Sequence, residues 1–250
     1  MKQVYLGPTG VLYVATGDLY RHEFKESLSS LRDWHPSLPV TLVTDQLSGI
    51  DGIAEVILEN PDFGFMDKIR GLKECPYERT LFLDSDTYIC GDLRELFELL
   101  DRFEFGGAHS PGRICKGSCY QINGVPDSFA QFNSGVLLLK KTAAVLNLLK
   151  EWHELYEQDV KYYRSLPLEE SAVLKFPQDQ PALREAMYRS EARIVTLATE
   201  YNFRTIFPCY ASRPVKILHG RNVNLRDVEE QVNGVSCKRV YFPGKGVVTS

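Results

Sequence analysis

Short apolar runs alternate with amphipathic stretches along the first 105 residues, and this alternation is the feature that most constrains the fold. Runs rich in β-branched and aromatic residues are typical of strands, whereas apolar residues three and four positions apart are typical of helices. Strands are predicted over residues 10–16, 40–44, 54–58 and 79–83, and helices over about 20–34, over about 66–72 and after Asp92. Strands and helices that alternate at these spacings predict an α/β fold with a mostly parallel central sheet flanked by helices.

The second half of the chain is less regular. A strand is predicted over residues 136–139, a long amphipathic helix over about 142–163, another helix from about residue 178 or 181, and a strand over 215–218. The stretch 109–131 has no clear period and is too long to serve only as a connection. Because the sequence shows neither an internal repeat nor a linker, we expect a single domain over residues 1–250.

Composition excludes several functional classes. The chain carries 29 Lys and Arg against 33 Asp and Glu, a formal charge of -4, which argues against a general nucleic-acid binder. No apolar run approaches the roughly 18 residues that a membrane span needs. Residues 1–8 lack the sustained apolar core of a secretory leader. We therefore expect a cytoplasmic protein whose cysteines are reduced.

The cysteines suggest one weak metal pattern. Cys115 and Cys119 lie four residues apart, with His109 shortly before them, as part of a zinc site would. A fourth ligand at a usual spacing is missing, and residues 116–118 are typical of a loop. Free thiols in a loop are the favoured interpretation.

Two carboxylates, Asp84 and Asp86, follow directly on the apolar strand 79–83. The carboxyl ends of parallel strands border the crevice in which open α/β sheets bind ligands. Two hard oxygen ligands at that position suit Mg²⁺ or Mn²⁺ held together with the phosphates of a substrate. Because Asp is also common in solvent-exposed turns, the pair by itself leaves a metal site and a simple turn as alternatives.

One enzyme class that uses this arrangement is the haloacid-dehalogenase-like phosphatases, with Asp84 as nucleophile and Asp86 as acid/base. Their motif requires Thr or Val four residues after the first Asp, where this chain has Tyr88. About 80 residues precede Asp84, whereas the corresponding strand of those phosphatases usually lies near the N-terminus. This phosphatase is the weaker alternative.

Five further motifs follow one another along the chain: residues 16–20, Lys68, 132–136, 179–180 and 215–220. Lys68 stands sixteen residues before Asp84, and Asp179 is followed directly by Gln180. In this order the motifs resemble those of glycosyltransferase family 8, the group of glycogenin and the lipopolysaccharide galactosyltransferases, and the resemblance extends over about residues 10–220. The resemblance implies the GT-A fold of nucleotide-diphospho-sugar transferases.

The resemblance also implies a role for each motif. It places Tyr20 against a uracil base, where stacking is worth about 1–3 kcal/mol, and Lys68 against the donor diphosphate. It makes His219 a metal ligand, since Mn²⁺ accepts imidazole where Mg²⁺ seldom does. The implied residues are Ala15, Thr16, Tyr20, Lys68, Asp84, Ser85, Asp86, His219 and Arg221 for donor and cofactor binding, Asp84, Asp86 and His219 for the metal, and Asn133, Asp179 and Gln180 for catalysis.

The C-terminal motif departs from the family pattern. The family has Gly three residues and Lys six residues after its His, whereas here Gly220 is adjacent to His219 and Leu225 stands at the sixth position. Arg221 is expected to supply the missing positive charge.

Together these residues predict a Mn²⁺- or Mg²⁺-dependent glycosyltransferase that moves a sugar from a UDP-sugar, with retention of configuration, to a glycan, lipid-linked or protein acceptor. Residues about 1–105 would form the nucleotide-binding half, and about 106–250 the acceptor side, with a C-terminal lid. The stretch 109–131 is expected to line the acceptor. A non-catalytic GT-A module that binds a nucleotide or a protein remains an alternative, and a homo-oligomer is compatible with the sequence.

Overall fold

The computed structural model describes residues 8–110, 124–173, 176–221 and 223–249. Within them the strands are β1 (Thr9–Ala15), β2 (Val40–Thr44), β3 (Ala54–Ile57), β4 (Arg79–Leu83), β5 (Thr87–Ile89), β6 (Phe105–His109), β7 (Phe132–Lys140), β8 (Ile194–Leu197), β9 (Phe203–Arg204), β10 (Cys209–Ala211), β11 (Ile217–His219), β12 (Arg239–Phe242) and β13 (Gly246–Thr249). The helices are α1 (Asp18–Trp34), α2 (Phe65–Lys73), α3 (Arg94–Leu99), α4 (Ala143–Ser165), α5 (Leu168–Val173), α6 (Asp179–Arg189) and α7 (Leu225–Asn233), and Thr199–Tyr201 form a 3₁₀ turn.

A seven-stranded sheet in the order β3-β2-β1-β4-β7-β6-β8 forms the centre of the molecule. The four strands β3, β2, β1 and β4 are parallel to one another. Strand β7 is antiparallel to both of its neighbours, β4 and β6, while β8 is parallel to β6. The predicted α/β class with a mostly parallel sheet is confirmed, and the antiparallel β7 is a feature that its apolar sequence does not specify.

Helices cover both faces of the sheet, which explains why the central strands are apolar without alternation. Phe82 of β4 packs with the apolar residues of α2, α4 and α6 on one face. Its neighbours Leu81 and Leu83 pack with α1 and α3 on the opposite face. Trp152 of α4 is fully buried in the first of these clusters.

The C-terminal part adds two small sheets, β5-β11-β9 and β10-β12-β13. Phe203, Leu218, Val228 and Tyr241 share a third apolar cluster that joins these sheets to α7. Several of these strands have only two to four residues, so they carry too few alternating positions to show a period in the sequence.

Three sequence expectations need comment. The helix expected after Asp92 is the short α3, and Asp92 accepts a hydrogen bond from the backbone N–H of Arg94 just ahead of it. In the described residues no helix has the length and apolarity needed to cross a membrane. The proposed zinc cysteines, Cys115 and Cys119, lie outside the described residues, as does most of the predicted acceptor stretch.

Candidate functional site

The candidate site lies where the parallel strands end. Asp84 follows β4, and its backbone N–H donates to the carbonyl of Gly135 in β7 at 2.7 Å. The chain then turns through Asp86 into β5, which pairs antiparallel with β11 so that Thr87 lies opposite His219. This pairing brings a side chain from the end of the chain to the two carboxylates after β4.

Asp84, Asp86 and His219 form a group whose candidate ligand atoms all lie within 4.8 Å of one another. The His219 Nε2 atom is 3.3 Å from Asp86 Oδ1 and 3.7 Å from Asp84 Oδ2. Asp86 Oδ1 is buried and has no hydrogen-bond partner among the described residues. Two carboxylates and one imidazole are a donor set that Mn²⁺ accepts, and a buried oxygen without a partner is the expected state of a ligand atom, so the residues fit a divalent cation.

The electrostatics of the two carboxylates differ. Burial raises the pKa of Asp84 above its usual range, and the neighbouring Lys68 only partly opposes that effect. Burial also acts to raise the pKa of Asp86, but attraction to His219, Arg221 and Lys68 outweighs it and the pKa lies below its usual range. Asp86 is therefore the more firmly ionised of the pair.

Lys68 of α2 is the centre of a buried charge network, here called the inner cluster: Lys68, Asp84, Ser134 and Asp179. The Lys68 Nζ atom lies 2.9 Å from Asp84 Oδ1, 3.2 Å from Ser134 Oγ and 3.6 Å from Asp179 Oδ2. Burial acts to lower the pKa of Lys68, but the charges of Asp179 and Asp84 outweigh it and the pKa is raised. Lys68 is thus a permanent cation beside the candidate metal ligands.

Asp179 and Gln180 open α6 beside the inner cluster. Asp179 is 0% exposed, and its Oδ2 atom accepts a hydrogen bond from Ser134 Oγ at 2.7 Å. Trp152 holds the backbone in place, since its Nε1–H donates to the Asp179 carbonyl at 2.9 Å. In the part of the chain that the structure describes, Asp179 Oδ1 and Gln180 Oε1 are buried without a hydrogen-bond partner. These two oxygens can accept hydrogen bonds from the hydroxyl groups of a ligand.

Asn133 lies on β7 and is linked to His219 by hydrogen bonds through the side-chain amide of Asn202. Its Oδ1 atom accepts from the backbone N–H of Gly135 at 3.0 Å and from Asn202 Nδ2 at 2.9 Å. Asn202 Oδ1 is in turn 2.8 Å from His219 Nδ1. The side-chain carbonyl of Asn133, a residue that the family resemblance assigns to catalysis, is therefore bonded within the protein.

Ala15 and Thr16, the donor-binding residues predicted at the end of β1, make contacts within the protein. Ala15 and Thr16 are buried. The Thr16 hydroxyl donates to Asp67 Oδ2 at 2.7 Å, and the same carboxylate accepts the backbone N–H groups of residues 62 and 63. Asp67 thus fixes a loop in which Phe63 is 56% exposed and has a φ of 54°, a conformation that a bulky residue rarely adopts.

A second group of residues, here called the entrance, consists of Tyr20, Glu23, Ser85 and Arg221. The Arg221 guanidinium lies 5.1 Å from the centre of the Tyr20 ring and donates to Glu23 Oε1 at 2.6 Å and Oε2 at 2.9 Å. The Ser85 hydroxyl donates to Glu23 Oε2 at 2.8 Å. A cavity of about 780 Å³ lies between α1, Asp86 and residues 220–226, and Glu23, Ser85 and Arg221 line it.

Sequence reasoning missed four residues of this site: Glu23, Asp67, Asn202 and Arg204. Asp67 could have been predicted from the sequence, because it directly precedes Lys68 on the same helix. Arg204 had none, since it lies in a two-residue strand whose register places it beside His219. Within the described residues the buried Arg204 Nε atom has no hydrogen-bond partner. Because Arg204 pairs with His219, it adds a further cation, besides Lys68 and Arg221, close to the candidate metal ligands.

Comparison with solved structures identifies this architecture as the GT-A fold of glycosyltransferases. The glycosyltransferase GlyE of Streptococcus pneumoniae TIGR4 matches with a TM-score of 0.56 at 20% identity over 78% of this chain, which spans 47% of the GlyE chain. Mouse xyloside xylosyltransferase 1 matches with a TM-score of 0.56 at 15% identity, over 86% of this chain and 98% of that one.

The galactosyltransferase LgtC, in complex with donor and acceptor sugar analogues, matches with a TM-score of 0.53 at 17% identity, over 85% of this chain and 87% of that one. LgtC fits the resemblance to family 8 seen in the motifs, and the predicted GT-A fold is confirmed. No protein-family model matches the chain, and no curated protein sequence is significantly similar to it.

Proposed function

We propose that this chain is a metal-dependent glycosyltransferase that uses a nucleotide-diphosphate sugar, most simply a UDP-sugar, as donor. The observation that carries the proposal is the convergence of Asp84, Asp86 and His219 at the carboxyl edge of a GT-A sheet. The inner cluster lies directly beside this group through the contact of Lys68 with Asp84. Acidic ligands and permanent cations at such an edge suit a diphosphate bound with a divalent ion.

The charges of the site suit the departure of a nucleoside diphosphate. Asp84, Asp86 and His219 would hold Mn²⁺, which when bound supplies Lewis-acid stabilisation of the leaving diphosphate. Burial acts to lower the pKa of three cations of the chain itself, Lys68, Arg204 and Arg221, while Asp84 and Asp86 help to raise it. The pKa is raised at Lys68 and Arg221 and lowered at Arg204, so all three lie within reach of the carboxylates. In our proposal these three cations stabilise the negative charge that develops on the leaving diphosphate.

The donor sugar is proposed to bind beside Asp179. Its free Oδ1 atom and Gln180 Oε1 accept hydroxyl hydrogens of the sugar, and both belong to the rigid start of α6. Retention of configuration follows from the resemblance to family 8. Asp179 Oδ2 already binds Ser134 and lies near Lys68, which favours a positioning role for this carboxylate over a role as a free nucleophile.

The nucleotide is proposed to occupy the cavity at the entrance. Tyr20 would stack on the base, and Arg221, which now lies over that ring, would move to the diphosphate. LgtC was solved with donor and acceptor sugar analogues on the same fold, which supports a nucleotide-sugar donor. We further propose that residues about 1–105 form the nucleotide-binding half, and that residues about 106–250 contribute the acceptor side and a C-terminal lid.

Thermal unfolding with UDP, with GDP or with neither, each in Mn²⁺ or in EDTA, tests the proposal. A ligand that binds only the native state at 100 times its Kd stabilises it by about 2.7 kcal/mol. We expect a rise in Tm that requires both UDP and Mn²⁺, followed by turnover in a screen of UDP-sugars. A rise in Tm with GDP but not with UDP would mean that the donor is a GDP-sugar. No rise with either nucleotide would contradict the proposal and favour another role for the GT-A fold.

A rise in Tm with UDP and Mn²⁺ but no turnover with any donor would identify the non-catalytic module. The matched control is Asp86→Asn, which removes one candidate ligand at nearly constant volume. Its Tm should not respond to Mn²⁺, with or without nucleotide.

A further inference from the structure

We infer that Asn133 and Asn202 are positioning residues that fix the tautomer of His219, so that its Nε2 atom presents a lone pair to the space between Asp84 and Asp86. The tautomer follows from the hydrogen bonds alone. Its consequence for metal binding rests on the proposed function.

The direction of every hydrogen bond in this relay is set by one backbone group. The N–H of Gly135 is only a donor, and it lies 3.0 Å from the side-chain atom of Asn133 that must therefore be the carbonyl oxygen. That oxygen is also 2.9 Å from Asn202, which must present its NH₂ group to it. The carbonyl of Asn202 is then left to face His219 Nδ1 at 2.8 Å. A carbonyl accepts only, so Nδ1 carries a proton, and in the neutral ring Nε2 is the nitrogen without one.

Burial protects the relay from water. Asn133, Asn202 and His219 are each 3% exposed, so solvent offers no alternative partner for their amide and ring nitrogens. The ring is also confined on its other side, because a Cβ at Gly135 would lie 2.7 Å from His219 Nε2 and 2.8 Å from Asp84 Oδ2. The close approach of β7 thus holds the imidazole against the carboxylates.

Without the relay the opposite tautomer would be favoured. His219 Nε2 is 3.3 Å from Asp86 Oδ1, a buried carboxylate oxygen with no other partner. A proton on Nε2 would donate to that oxygen and form a charge-assisted hydrogen bond. Such a proton would block both Nε2 and Asp86 Oδ1 as metal ligands. The two amides therefore oppose the hydrogen bond from His219 Nε2 to Asp86 that the acidic site would otherwise favour.

We expect a large effect on metal binding from Asn202, although its side chain contacts His219 and not the metal itself. Partners that orient a metal-binding histidine typically contribute 10–100-fold to metal affinity. We expect Asn202→Leu, which keeps the volume but removes the acceptor, to move the proton to Nε2. The variant should bind Mn²⁺ about 10–100-fold more weakly than the wild type.

The tautomer can be read directly by ¹⁵N NMR of the metal-free protein labelled at histidine. Spectra are recorded at increasing alkaline pH until the signal no longer changes, and His219→Gln assigns the signal. The wild type should show a proton on Nδ1 alone, and Asn202→Leu a proton on Nε2. Mn²⁺ affinity is then measured on the same proteins by calorimetry without nucleotide.

Two further variants keep the test independent of folding defects. Asn133→Asp retains an acceptor for both Gly135 and Asn202, so the relay keeps its direction and His219 keeps its proton on Nδ1. Asn233→Leu removes two hydrogen bonds to the backbone of Val215, in the C-terminal part of the chain. It should lower stability and leave both the tautomer and the Mn²⁺ affinity unchanged.

A wild-type spectrum with a proton on Nε2 would overturn the inference. So would wild-type Mn²⁺ affinity in an Asn202→Leu protein whose tautomer has changed. If the wild type has its proton on Nδ1 yet does not bind Mn²⁺, the relay stands and the proposed metal-dependent function fails.

Discussion

The inner cluster and the entrance both combine carboxylates with cations, but they differ in their access to solvent. Lys68 is 8% exposed and Asp179 is fully buried, whereas the Arg221 side chain is 41% exposed and lines the cavity. A charge pair in a buried, low-dielectric setting is strongly coupled, while water and salt weaken an exposed pair. The inner cluster is therefore pre-formed, whereas the entrance can exchange its ion-pair partners when a ligand binds.

The largest effect that this comparison predicts is on Lys68. Lys68→Met leaves Asp84 and Asp179 without their shared cation, and removal of one partner from a buried ion pair typically costs about 3–5 kcal/mol. We expect the free energy of unfolding in urea, measured with EDTA present, to fall by that amount. Turnover should be lost as well.

Lys150→Met is the matched control, because the Lys150 side chain is 72% exposed and its ion pair is with Glu154, one turn along the same helix. It should change stability by less than about 1 kcal/mol. Equal losses in the two variants would show that Lys68 is not the counter-ion of a buried cluster.

Asp86 lies between the two regions and should show the next largest effect. Asp86→Asn should abolish the stabilisation by Mn²⁺, which in the wild type is about 2.7 kcal/mol at 100 times Kd, because it removes the more firmly ionised carboxylate. The measurement is Tm with and without Mn²⁺. Asp92→Asn, at an exposed carboxylate six residues later, should respond to Mn²⁺ as the wild type does. A normal Mn²⁺ response in Asp86→Asn would remove Asp86 from the ligand set.

Tyr20 tests whether the entrance receives a base. Tyr20→Ala should weaken UDP binding by about 1–3 kcal/mol, the usual contribution of base stacking on an aromatic ring. Tyr20→Phe keeps the ring and should bind UDP nearly as the wild type does, as measured by calorimetry in saturating Mn²⁺. Unchanged affinity in the alanine variant would leave Tyr20 a structural residue that packs on the sheet.

The smallest expected effect on stability is at the Arg221–Glu23 pair. Glu23→Gln should change the free energy of unfolding by less than about 1 kcal/mol, because the Arg221 side chain of the pair is 41% exposed and water screens its charge. Since the variant releases Arg221, we expect it to bind UDP more tightly, whereas Arg221→Gln should bind UDP more weakly. Weaker binding in both variants would mean that Glu23 itself contacts the nucleotide, and the entrance would then be a fixed site.

Much of the fold could be predicted because its information is local. Strands β1 and β4 are nearly continuous apolar runs, and α1, α2 and α4 show clear helical periods. The predicted bounds of the strand 40–44 and the strand 79–83 agree with β2 and β4. The direction of β7 could not be predicted, because an apolar run packs equally well in either orientation.

The sequence by itself determined the α/β alternation, the position of Asp84 and Asp86 after a buried strand, and the spacing that puts Lys68 one helix earlier. The tertiary structure alone decided that Lys68 is shared between Asp84 and Asp179 and that Arg221 lies on Tyr20. It also decided that Asn202 holds His219. The physical reason is that strand and helix preferences act over a few neighbouring residues, whereas these contacts join residues that only the pairing of β5 with β11, and the packing of α6 against β7, bring together.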